Sequence, residues 1–367
     1  MTNPQLRRVT IKDVARLSRV SPATVTRVMQ GRKSVREETR SRVEEAVRAL
    51  RYRPDHIARA LVTRSSNTIG MMLPSSGDSF WGEVAAGIEQ RASEAGFSVL
   101  FANAHGDASR EAEVIDLFVG KRVDGIIIAG ATGELRSWVG GSTLQVPVVL
   151  VNWDATFQPE LIETASLLPP ADMAKAISDE VRGRGFSHVA FDDLGGGVTA
   201  VKHLLSYRHS NIAWIGGSAI RPALLRILGF RRALEEADLA PGPIIACGES
   251  LEAGMEGART LLSLDDRPTA IVAYSDIVAI GVIRAAHMLG LRVPEDVSIV
   301  GFDDIDVAAF VEPPLTTIRQ PKREMGSEAV GWILARLDGS DLPEHQTLPG
   351  SLVVRSSSGP APDDQSS

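Results

Sequence analysis

Residues 10–28 have the sequence TIKDVARLSRVSPATVTRV, in which apolar residues recur at helical spacing on both sides of a short turn. The pattern predicts one helix over about residues 11–17 and a second over about 22–29. Two short helices at this separation are typical of a helix-turn-helix, which places its second helix in the major groove of DNA. The stretch therefore predicts an all-α DNA-binding headpiece at the start of the chain.

Local residue preferences support both helix starts. Thr10 and Asp13 have the spacing of a capping box, and Ser21 before Pro22 combines an N-cap with a residue suited to the first helical position. A third helix is predicted over about residues 37–50, and it would complete a small core. The residues expected in that core are Ile11, Val14, Ala15, Leu17, Val25, Val28, Val43, Val47 and Leu50.

Charge is divided unevenly along the chain. Residues 1–64 hold 16 lysines and arginines against 6 aspartates and glutamates, a net charge of +10. The whole chain carries −7, so residues 65–367 carry −17. A basic segment ahead of an acidic body indicates a nucleic-acid partner for the headpiece alone.

The composition is that of an ordinary globular protein of two or three domains. Of 367 residues, 44% are hydrophobic, and no apolar run approaches the ~20 residues that span a membrane. Because Cys247 is the only cysteine, an intrachain disulfide is excluded and a cysteine-based zinc site is disfavoured. The first residues lack the apolar stretch of a signal peptide, so we expect a cytoplasmic protein. We expect no metal, no cofactor and no membrane partner, and residues 358–367 should form a disordered tail.

A hinge is predicted between headpiece and body. Pro54 ends the third helix, and Asp55 can cap a new short helix within residues 55–65. A helix of that length is marginal in water, so we expect it to fold only on DNA. Leu61 could then wedge between base steps in the minor groove.

These segments resemble the lactose-repressor (LacI/GalR) family of bacterial transcription regulators over about residues 9–357. The resemblance implies that Pro22, Ala23 and Arg27 choose the operator sequence. It also implies backbone contacts by Thr10, Ser21, Thr24 and Tyr52, and hinge contacts by Ala58 and Leu61. The headpiece residues that carry it are VTIKDVA at 9–15, VS at 20–21, ATV at 23–25, RV at 27–28, TR at 39–40, YRP at 52–54 and ARAL at 58–61.

From residue 66 onward, strand patterns alternate with helix patterns in two successive sets, which predicts two α/β lobes with parallel sheets. A ligand crevice is expected where the carboxyl ends of the strands meet. Periodicity alone does not separate this body from a dehydrogenase or a sugar-binding protein. The body resembles the periplasmic-binding-protein-like core of the same family through VDGII at 123–127, RILGF at 226–230, AIG at 279–281, VP at 293–294, GFDD at 301–304, PLTTI at 314–318 and LVVR at 352–355.

The predicted domains are a headpiece at 1–54, the hinge at 55–65, and an effector-binding and dimerisation core at 66–357. Lobe one should comprise about 66–190 and 321–340, and lobe two about 191–320 and 345–357. Residues 173–184 have helical periodicity and lie in a segment longer than the family usually has between its lobes. We interpret the glycines at 195–197 as a site of close packing, because the spacing of a phosphate loop is missing.

A sugar needs flat apolar faces and paired polar groups, and candidates for both lie just after predicted strand ends. The family resemblance implies that Arg226, Ser275 and Asp303 make polar contacts with the effector. Trp81 could instead be a core residue, and Asp303 could simply hold a turn. Arg226, expected at a loop-to-helix junction, and Asp303 should be the charged anchors. The full set of candidates is Phe80, Trp81, Asn152, Trp153, Phe191, Arg226, Glu252, Ser275 and Asp303, with Glu252 expected in a loop.

We therefore expect a ligand-controlled transcription regulator, a repressor, that binds a pseudo-palindromic double-stranded operator as a homodimer. The small-molecule effector is expected to be a sugar. An activator, or a corepressor-dependent regulator that responds to a nucleobase or another metabolite, is the alternative. An α/β enzyme or a solute-binding protein is a further class, although we find no nucleophile–base pair that would suggest catalysis.

Overall fold

In a computed structural model of the protein, the structure describes residues 9–29, 35–52, 65–75, 79–130, 146–152, 187–217, 221–341, 343 and 345–362. The chain divides into two compact units, Met1–Ser66 and Asn67–Ser367. Ala58, Leu61 and the rest of the predicted hinge helix through residue 64, together with Trp153 and the predicted helix at 173–184, lie outside the described residues. Among the described helices, none is long and apolar enough to cross a membrane.

The described residues of the first unit form three helices, α1 (Ile11–Ser18), α2 (Pro22–Met29) and α3 (Glu37–Ala49), which confirms the predicted helix-turn-helix and its third helix. The carboxylate of Asp13 accepts from the Thr10 N–H at 3.0 Å and from the Thr10 hydroxyl at 2.7 Å. The Ser21 hydroxyl accepts from the Thr24 N–H at 3.2 Å, as an N-cap does.

One core assignment in the headpiece is wrong. Leu17 is 53% exposed, whereas Ser18 is buried and its hydroxyl donates to the Val14 carbonyl at 2.7 Å. A helix turns by about 100° per residue, so Leu17 lies well off the stripe that Val14 and Ser18 share. The fully buried core consists of Val14, Ala15, Val25, Val28, Val43 and Ala46, with Ile11, Val47, Leu50 and Tyr52 packed around it.

The second unit contains two six-stranded sheets. In chain order the strands are β1 (Thr68–Leu73), β2 (Ser98–Asn103), β3 (Gly125–Ala129), β4 (Val148–Val151), β5 (Ser187–Phe191), β6 (Ile212–Ile215), β7 (Ile244–Ile245), β8 (Ala270–Ala273), β9 (Ser298–Asp303), β10 (Thr316–Arg319), β11 (His345–Leu348) and β12 (Ser351–Val353). The first sheet has the order β11-β5-β4-β3-β1-β2 and the second β12-β10-β9-β8-β6-β7. Every pairing is parallel except that of β10 with β12, which confirms the predicted two-lobed α/β body.

The described helices of this unit lie between its strands along the chain. They are α4 (Ser79–Glu94), α5 (Ala108–Gly120), α6 (Asp193–Ser206), α7 (Arg221–Glu235), α8 (Leu251–Leu262), α9 (Asp276–Met288) and α10 (Lys322–Leu337). The predicted close packing at the three glycines is confirmed. A Cβ added at Gly197 of α6 would lie 2.2 Å from the Arg226 carbonyl oxygen, and one at Gly229 of α7 would lie 2.1 Å from the Leu194 carbonyl oxygen. The absence of side chains at both positions therefore lets α6 and α7 approach backbone to backbone.

The C-terminal segment departs from the prediction in two ways. Residues 345–348 form β11, which pairs with β5 in the first sheet, although they were assigned to lobe two. The chain crosses to the second sheet only after β11, where it forms β12. The prediction placed this crossing before residue 345, which is one strand too early.

The predicted tail at 358–367 is also packed against the body over its first residues. Ser358 is buried, the Gly359 carbonyl lies 3.0 Å from the ring nitrogen Nε2 of His209, and the Ala361 N–H donates to the Tyr207 carbonyl at 2.8 Å. Polar composition suggested disorder, but serine and glycine here supply donors and acceptors to buried partners.

Candidate functional site

One face of α2 in the headpiece is exposed. Val25 and Val28 are buried in the core, which turns Pro22, Ala23 and Arg27 outward. These are the three residues predicted to choose the operator sequence, and all three are exposed on α2, with Pro22 and Ala23 in its first turn and Arg27 in its last. A helix N-terminus also carries unpaired N–H groups and a positive dipole end, both suited to a phosphate.

The predicted backbone contacts surround this face. Thr10 and Ser21 are exposed, and the hydroxyls of Ser21 and Thr24 lie 3.0 Å apart. Tyr52 is half-buried against the core, and its N–H donates to the Val47 carbonyl at 3.0 Å. The arrangement offers neutral donors around a surface that also exposes Arg27.

In the body, a cavity of about 100 Å³ that opens to solvent lies between the two sheets. Six of the predicted effector contacts line it: Phe80, Trp81, Asn152, Arg226, Ser275 and Asp303. Six residues that were not predicted also line it: Pro222, Glu249, Tyr274, Ile277, Ile305 and Gln320. The described lining thus comes from the ends of strands in both lobes, as the strand-end rule predicts.

Arg226 is held rigidly within the cavity wall. It lies in the second turn of α7 and not at a loop-to-helix junction, since the helix begins at Arg221. Its Nε donates to Asp193 Oδ1 at 2.8 Å and its Nη1 to the Tyr274 carbonyl at 2.7 Å. The guanidinium carbon stands 3.9 Å from the centre of the Phe302 ring, a cation–π distance.

The charge of Arg226 is secured by its neighbours. Burial by itself lowers the pKa of a guanidinium, but the carboxylates of Asp193 and Asp303 outweigh burial and raise the pKa of Arg226. Both Arg226 and Asp193 are almost fully buried. The positive charge of Arg226 and the negative charge of Asp193 are therefore paired within the cavity wall.

Asp303 ends β9 with a φ of 110°, a conformation that is uncommon outside glycine. Its Oδ1 accepts from Gln320 Nε2 at 2.6 Å and lies 3.7 Å from Arg226 Nη1. The Lys322 ammonium donates to the carbonyls of Asp303 and Asp304 at 2.8 and 2.7 Å. Asp303 therefore holds a turn and also presents a carboxylate to the cavity, so the two interpretations of this residue are compatible.

A hydrogen-bond chain connects the lobes along the cavity. The Asn152 side chain accepts from the Phe191 N–H at 3.1 Å and donates to Gln320 Oε1 at 3.3 Å. Gln320 in turn donates to Asp303. Since Asn152 and Phe191 belong to the first sheet and Asp303 to the second, Gln320 bridges the two lobes.

Lys322 makes a second bridge between the lobes. Besides its bonds to the 303–304 turn, its ammonium lies 2.8 Å from a carboxylate oxygen of Glu83 on α4. Lys322 is 5% exposed, so this contact is shielded from solvent.

The aromatic residues at the first strand end combine two roles. Phe80 and Trp81 pack edge to face with ring centres 4.8 Å apart, and they are 7% and 8% exposed. They are thus core residues whose remaining surface lines the cavity. Ser275 likewise lines the cavity while it caps α9, accepting from the Val278 N–H at 3.4 Å.

Two predicted contacts do not line the cavity among the described residues. Phe191 is 2% exposed and packs edge to face on Phe302 with ring centres 5.6 Å apart. Glu252 is exposed in the first turn of α8, where a loop was expected. Ser250 caps this helix, accepting from the Ala253 N–H at 3.2 Å, and that capping residue was the signal that a helix follows. Glu249, before the cap, reaches the cavity instead.

Asp276 is completely buried behind the cavity wall. Its carboxylate accepts from the Ile305 N–H at 2.9 Å and from the Thr317 hydroxyl at 2.5 Å. Burial raises its pKa from 3.8 to about 7, although both hydrogen bonds act in the opposite direction. Asp276 therefore supports the backbone at Ile305, which lines the cavity.

Comparison with known protein families finds two matches. Residues 10–55 match the profile of bacterial regulatory proteins of the lacI family, and residues 201–358 match a periplasmic binding protein-like domain. The first match covers the three-helix unit. The second covers much of the second lobe together with the C-terminal elements.

Curated relatives extend the likeness over most of the chain. The HTH-type transcriptional repressor PurR of Aliivibrio salmonicida is 33% identical over 335 residues, covering 89% of this chain and 92% of that protein. The ribose operon repressor of Haemophilus influenzae is 32% identical over 333 residues, with 89% and 92% covered. Among solved structures, the lac repressor dimer bound to operator and the anti-inducer ONPF has a TM-score of 0.82 and 27% identity, covering 96% of this chain and all of that chain.

Proposed function

The chain belongs to the lacI family of bacterial regulatory proteins, and we propose that it is a homodimeric repressor whose operator affinity is set by a sugar bound between its lobes. The family membership makes it a DNA-binding transcriptional regulator with an effector-binding body. The observation that carries the proposal is the exposed face of α2, which stands on the same chain as a cavity lined from both lobes.

Arg27 is the residue proposed to contact base edges. A guanidinium can bond two acceptors of a guanine in the major groove, whereas Pro22 and Ala23 offer only apolar contact, for example to a thymine methyl. Thr10, Ser21, Thr24 and Tyr52 are proposed to bond phosphates, which fixes the register of the headpiece. Ala58 and Leu61 are proposed to contact the minor groove.

Operator recognition is tested with the full chain and a DNA site selected from a random library. We expect Arg27→Ala to cost about 1–3 kcal/mol on the selected site and to relax base choice there. Arg284→Ala, which removes an exposed arginine of the body, is the matched control and should leave DNA affinity unchanged. Equal weakening by Arg27→Ala on selected and scrambled DNA, measured by fluorescence anisotropy, would contradict a base contact.

The effector is proposed to lie against Phe80 and Trp81, with its hydroxyls between Asp303 and Arg226. A sugar offers an apolar ring face for the aromatic wall and adjacent hydroxyls that both donate and accept. Binding would favour one arrangement of the lobes and so change the fraction of the protein competent to bind DNA.

A thermal-shift screen of sugars, sugar phosphates and nucleobases identifies the effector, and the sign of its effect on operator affinity separates an inducer from a corepressor. Asp303→Asn should abolish the ligand response while leaving operator affinity intact. A normal ligand response in this variant would place the effector elsewhere.

The homodimer is supported by apolar side chains that the body leaves exposed. Phe310 is 86% exposed and Val307 46%. The edge strand β2 exposes Phe101 to 44%. An exposed sheet edge and apolar patches of this kind are commonly covered by a partner, and a second copy related by a two-fold axis would cover both lobes.

Sedimentation velocity tests the homodimer. Phe310→Ser should shift the chain towards monomer and weaken binding to a two-half-site operator more than to a single half-site. Leu17→Ser, which changes an exposed apolar residue of the headpiece, serves as control in the sedimentation experiment. A monomeric wild-type chain at micromolar concentration would rule the homodimer out.

A further inference from the structure

The buried ammonium of Lys322 is shared between the lobes. Lys322 begins α10 where the chain passes from β10 of the second lobe into the first lobe. An ammonium has three N–H groups, and three acceptors lie within hydrogen-bond distance of this one. They are the carbonyls of Asp303 and Asp304, at 2.8 and 2.7 Å, and a carboxylate oxygen of Glu83 at 2.8 Å. Two acceptors belong to the second lobe and one to the first, so the ammonium joins the lobes.

The second-lobe acceptors belong to a turn with an unusual backbone. Asp304 has a φ of 52°, in the left-handed region that aspartate tolerates, but Asp303 has a φ of 110°, which lies beyond that region. Such a conformation costs free energy and persists only where its surroundings hold it. Because both carbonyls of the turn bond to Lys322, the ammonium stabilises the turn. It thereby also fixes the direction of the Asp303 side chain, which lines the cavity.

The first-lobe acceptor lies on the helix that carries the aromatic wall of the cavity. Glu83 lies in α4 within one turn of Phe80 and Trp81, which line the cavity. Its second carboxylate oxygen lies 3.9 Å from Nε of Arg323, so the carboxylate faces two cations of α10. Charge-assisted hydrogen bonds are stronger than neutral ones, and solvent is largely excluded here because Lys322 is 5% exposed. The contact therefore connects the position of α4 to the turn at 303–304.

We propose that Lys322 is a positioning residue of the cavity, which holds the turn at 303–304 in its conformation and, through Glu83, makes that conformation depend on the arrangement of the two lobes. The inference rests on the proposed function, in which the cavity binds the effector and the lobe arrangement sets operator affinity. A ligand that contacts the Asp303 carboxylate then acts on α4 through one ammonium. By reciprocity, a change in the lobe arrangement acts back on the position of Asp303.

The test is amide hydrogen exchange of the full chain without ligand, measured in peptides that cover residues 303–306. The N–H groups of Asp304 and Ile305 donate to side chains of the second lobe, so both amides report opening of the turn. Glu83→Ala removes the first-lobe acceptor without touching either bond, and alanine is well suited to the interior of a helix. We expect this substitution to raise exchange at the two amides roughly tenfold, the change that loss of one charge-assisted hydrogen bond produces.

Further variants show whether the effect passes through Lys322. Lys322→Met keeps the length of the side chain without its charge and should raise exchange at the same amides at least as much. Adding Glu83→Ala to Lys322→Met should produce no further increase, because the connection is already broken. Glu83→Gln keeps an acceptor oxygen and should restore most of the protection. Glu94→Ala is the matched control and should leave exchange at the turn unchanged, because Glu94 is an exposed residue at the end of the same helix that pairs with Arg91 at 3.7 Å.

Operator affinity of the same variants supplies a readout that a purely local packing role would not change. On the selected DNA site and without ligand, Glu83→Ala and Lys322→Met should each change operator affinity at least roughly fivefold, because both release the same contact between the lobes. The double variant should match the single variants, and Glu94→Ala should match the wild type.

The inference is overturned if Glu83→Ala leaves exchange at the turn unchanged, if its effect adds to that of Lys322→Met, or if neither substitution alters the operator affinity of a chain that binds DNA. A wild-type chain that binds no DNA would instead refute the proposed function. In that case the exchange experiment would still decide whether Lys322 positions the turn.

Discussion

Asp276→Asn is expected to remove a pH-dependent instability from the body. Asp276 is 0% exposed, and its two oxygens accept from the Ile305 N–H and the Thr317 hydroxyl. Asparagine has the same shape. Its carbonyl oxygen can keep the Ile305 bond, and its NH₂ group can donate to the Thr317 hydroxyl once that hydroxyl rotates.

The size of the effect follows from the pKa. In the folded protein the pKa of Asp276 is raised by burial from 3.8 to about 7. At pH values below 3.8 the carboxyl is protonated in both states and costs nothing. As pH rises from 3.8 to about 7 the unfolded chain loses the proton first, so the folded state is progressively destabilised relative to it. At 25 °C the full loss is on the order of 4 kcal/mol, because each pKa unit corresponds to about 1.4 kcal/mol.

The measurement is urea unfolding between pH 4 and pH 8, followed by the fluorescence of the five tryptophans, of which Trp214 is fully buried in the second lobe. The stability of Asp276→Asn relative to wild type should increase across this range and level off above about pH 7. Titrating groups that lie far from Asp276 cancel in the difference. Asp296→Asn is the control, since the pKa of Asp296 is lowered to about 2 by its bonds with Arg292 and its difference from wild type should be flat above pH 5. A difference for Asp276→Asn that is constant with pH would refute the argument.

Three further variants test the packing of the body by thermal and urea unfolding. Gly197→Ala should lower the free energy of unfolding by about 3 kcal/mol, because its Cβ would lie 2.2 Å from a backbone carbonyl oxygen. Gly120→Ala is the control, since a Cβ there would have no atom within 4 Å and stability should hardly change. Equal effects of the two substitutions would contradict the close approach of α6 and α7. Gln320→Leu should lower the free energy of unfolding by about 2 kcal/mol and weaken ligand binding, because Asn152 and Asp303 lose their hydrogen bonds to Gln320. Unchanged ligand affinity would show that Gln320 is not part of the site. Deletion of residues 356–367 should lower the unfolding temperature, because it removes the hydrogen bonds of Ser357 and Gly359 with the body. Deletion of residues 363–367 removes none of the described contacts and should leave the unfolding temperature unchanged. If the longer deletion also has no effect, the packed segment does not contribute to stability.

Local patterns were sufficient for most of the elements. The helix bounds at Pro22 and Met29 match the prediction, because a serine cap, a first-turn proline and an apolar stripe all act within one helix. Strand ends also located Phe80, Trp81 and Asn152 in the cavity, since parallel strands bring their carboxyl ends to one edge. The family resemblance supplied the other three, Arg226, Ser275 and Asp303. Tyr274 follows the same rule, because it directly follows β8, and it could have been included.

Other residues of the site left no local signal. Gln320 looks like an ordinary linker residue, and only the return of the chain from the second lobe to the first places it between Asn152 and Asp303. The sequence around Lys322 is typical of the start of a solvent-exposed helix, but Lys322 is only 5% exposed. Its ammonium is buried because a backbone carbonyl of one lobe and the Glu83 carboxylate of the other bond to it. The prediction placed Glu252 in a loop because it did not include the helix that begins at Leu251.

The sequence by itself determined the headpiece, its charge and the two-lobed α/β body, because caps, periodicity and composition act between residues that are close along the chain. Tertiary structure alone decided which charges meet in the cavity. Asp193 is 33 residues from Arg226, and Gln320 is 168 residues from Asn152. Whether Arg226 bonds a protein carboxylate or only a ligand depends on that long-range pairing, which no local pattern of the sequence records.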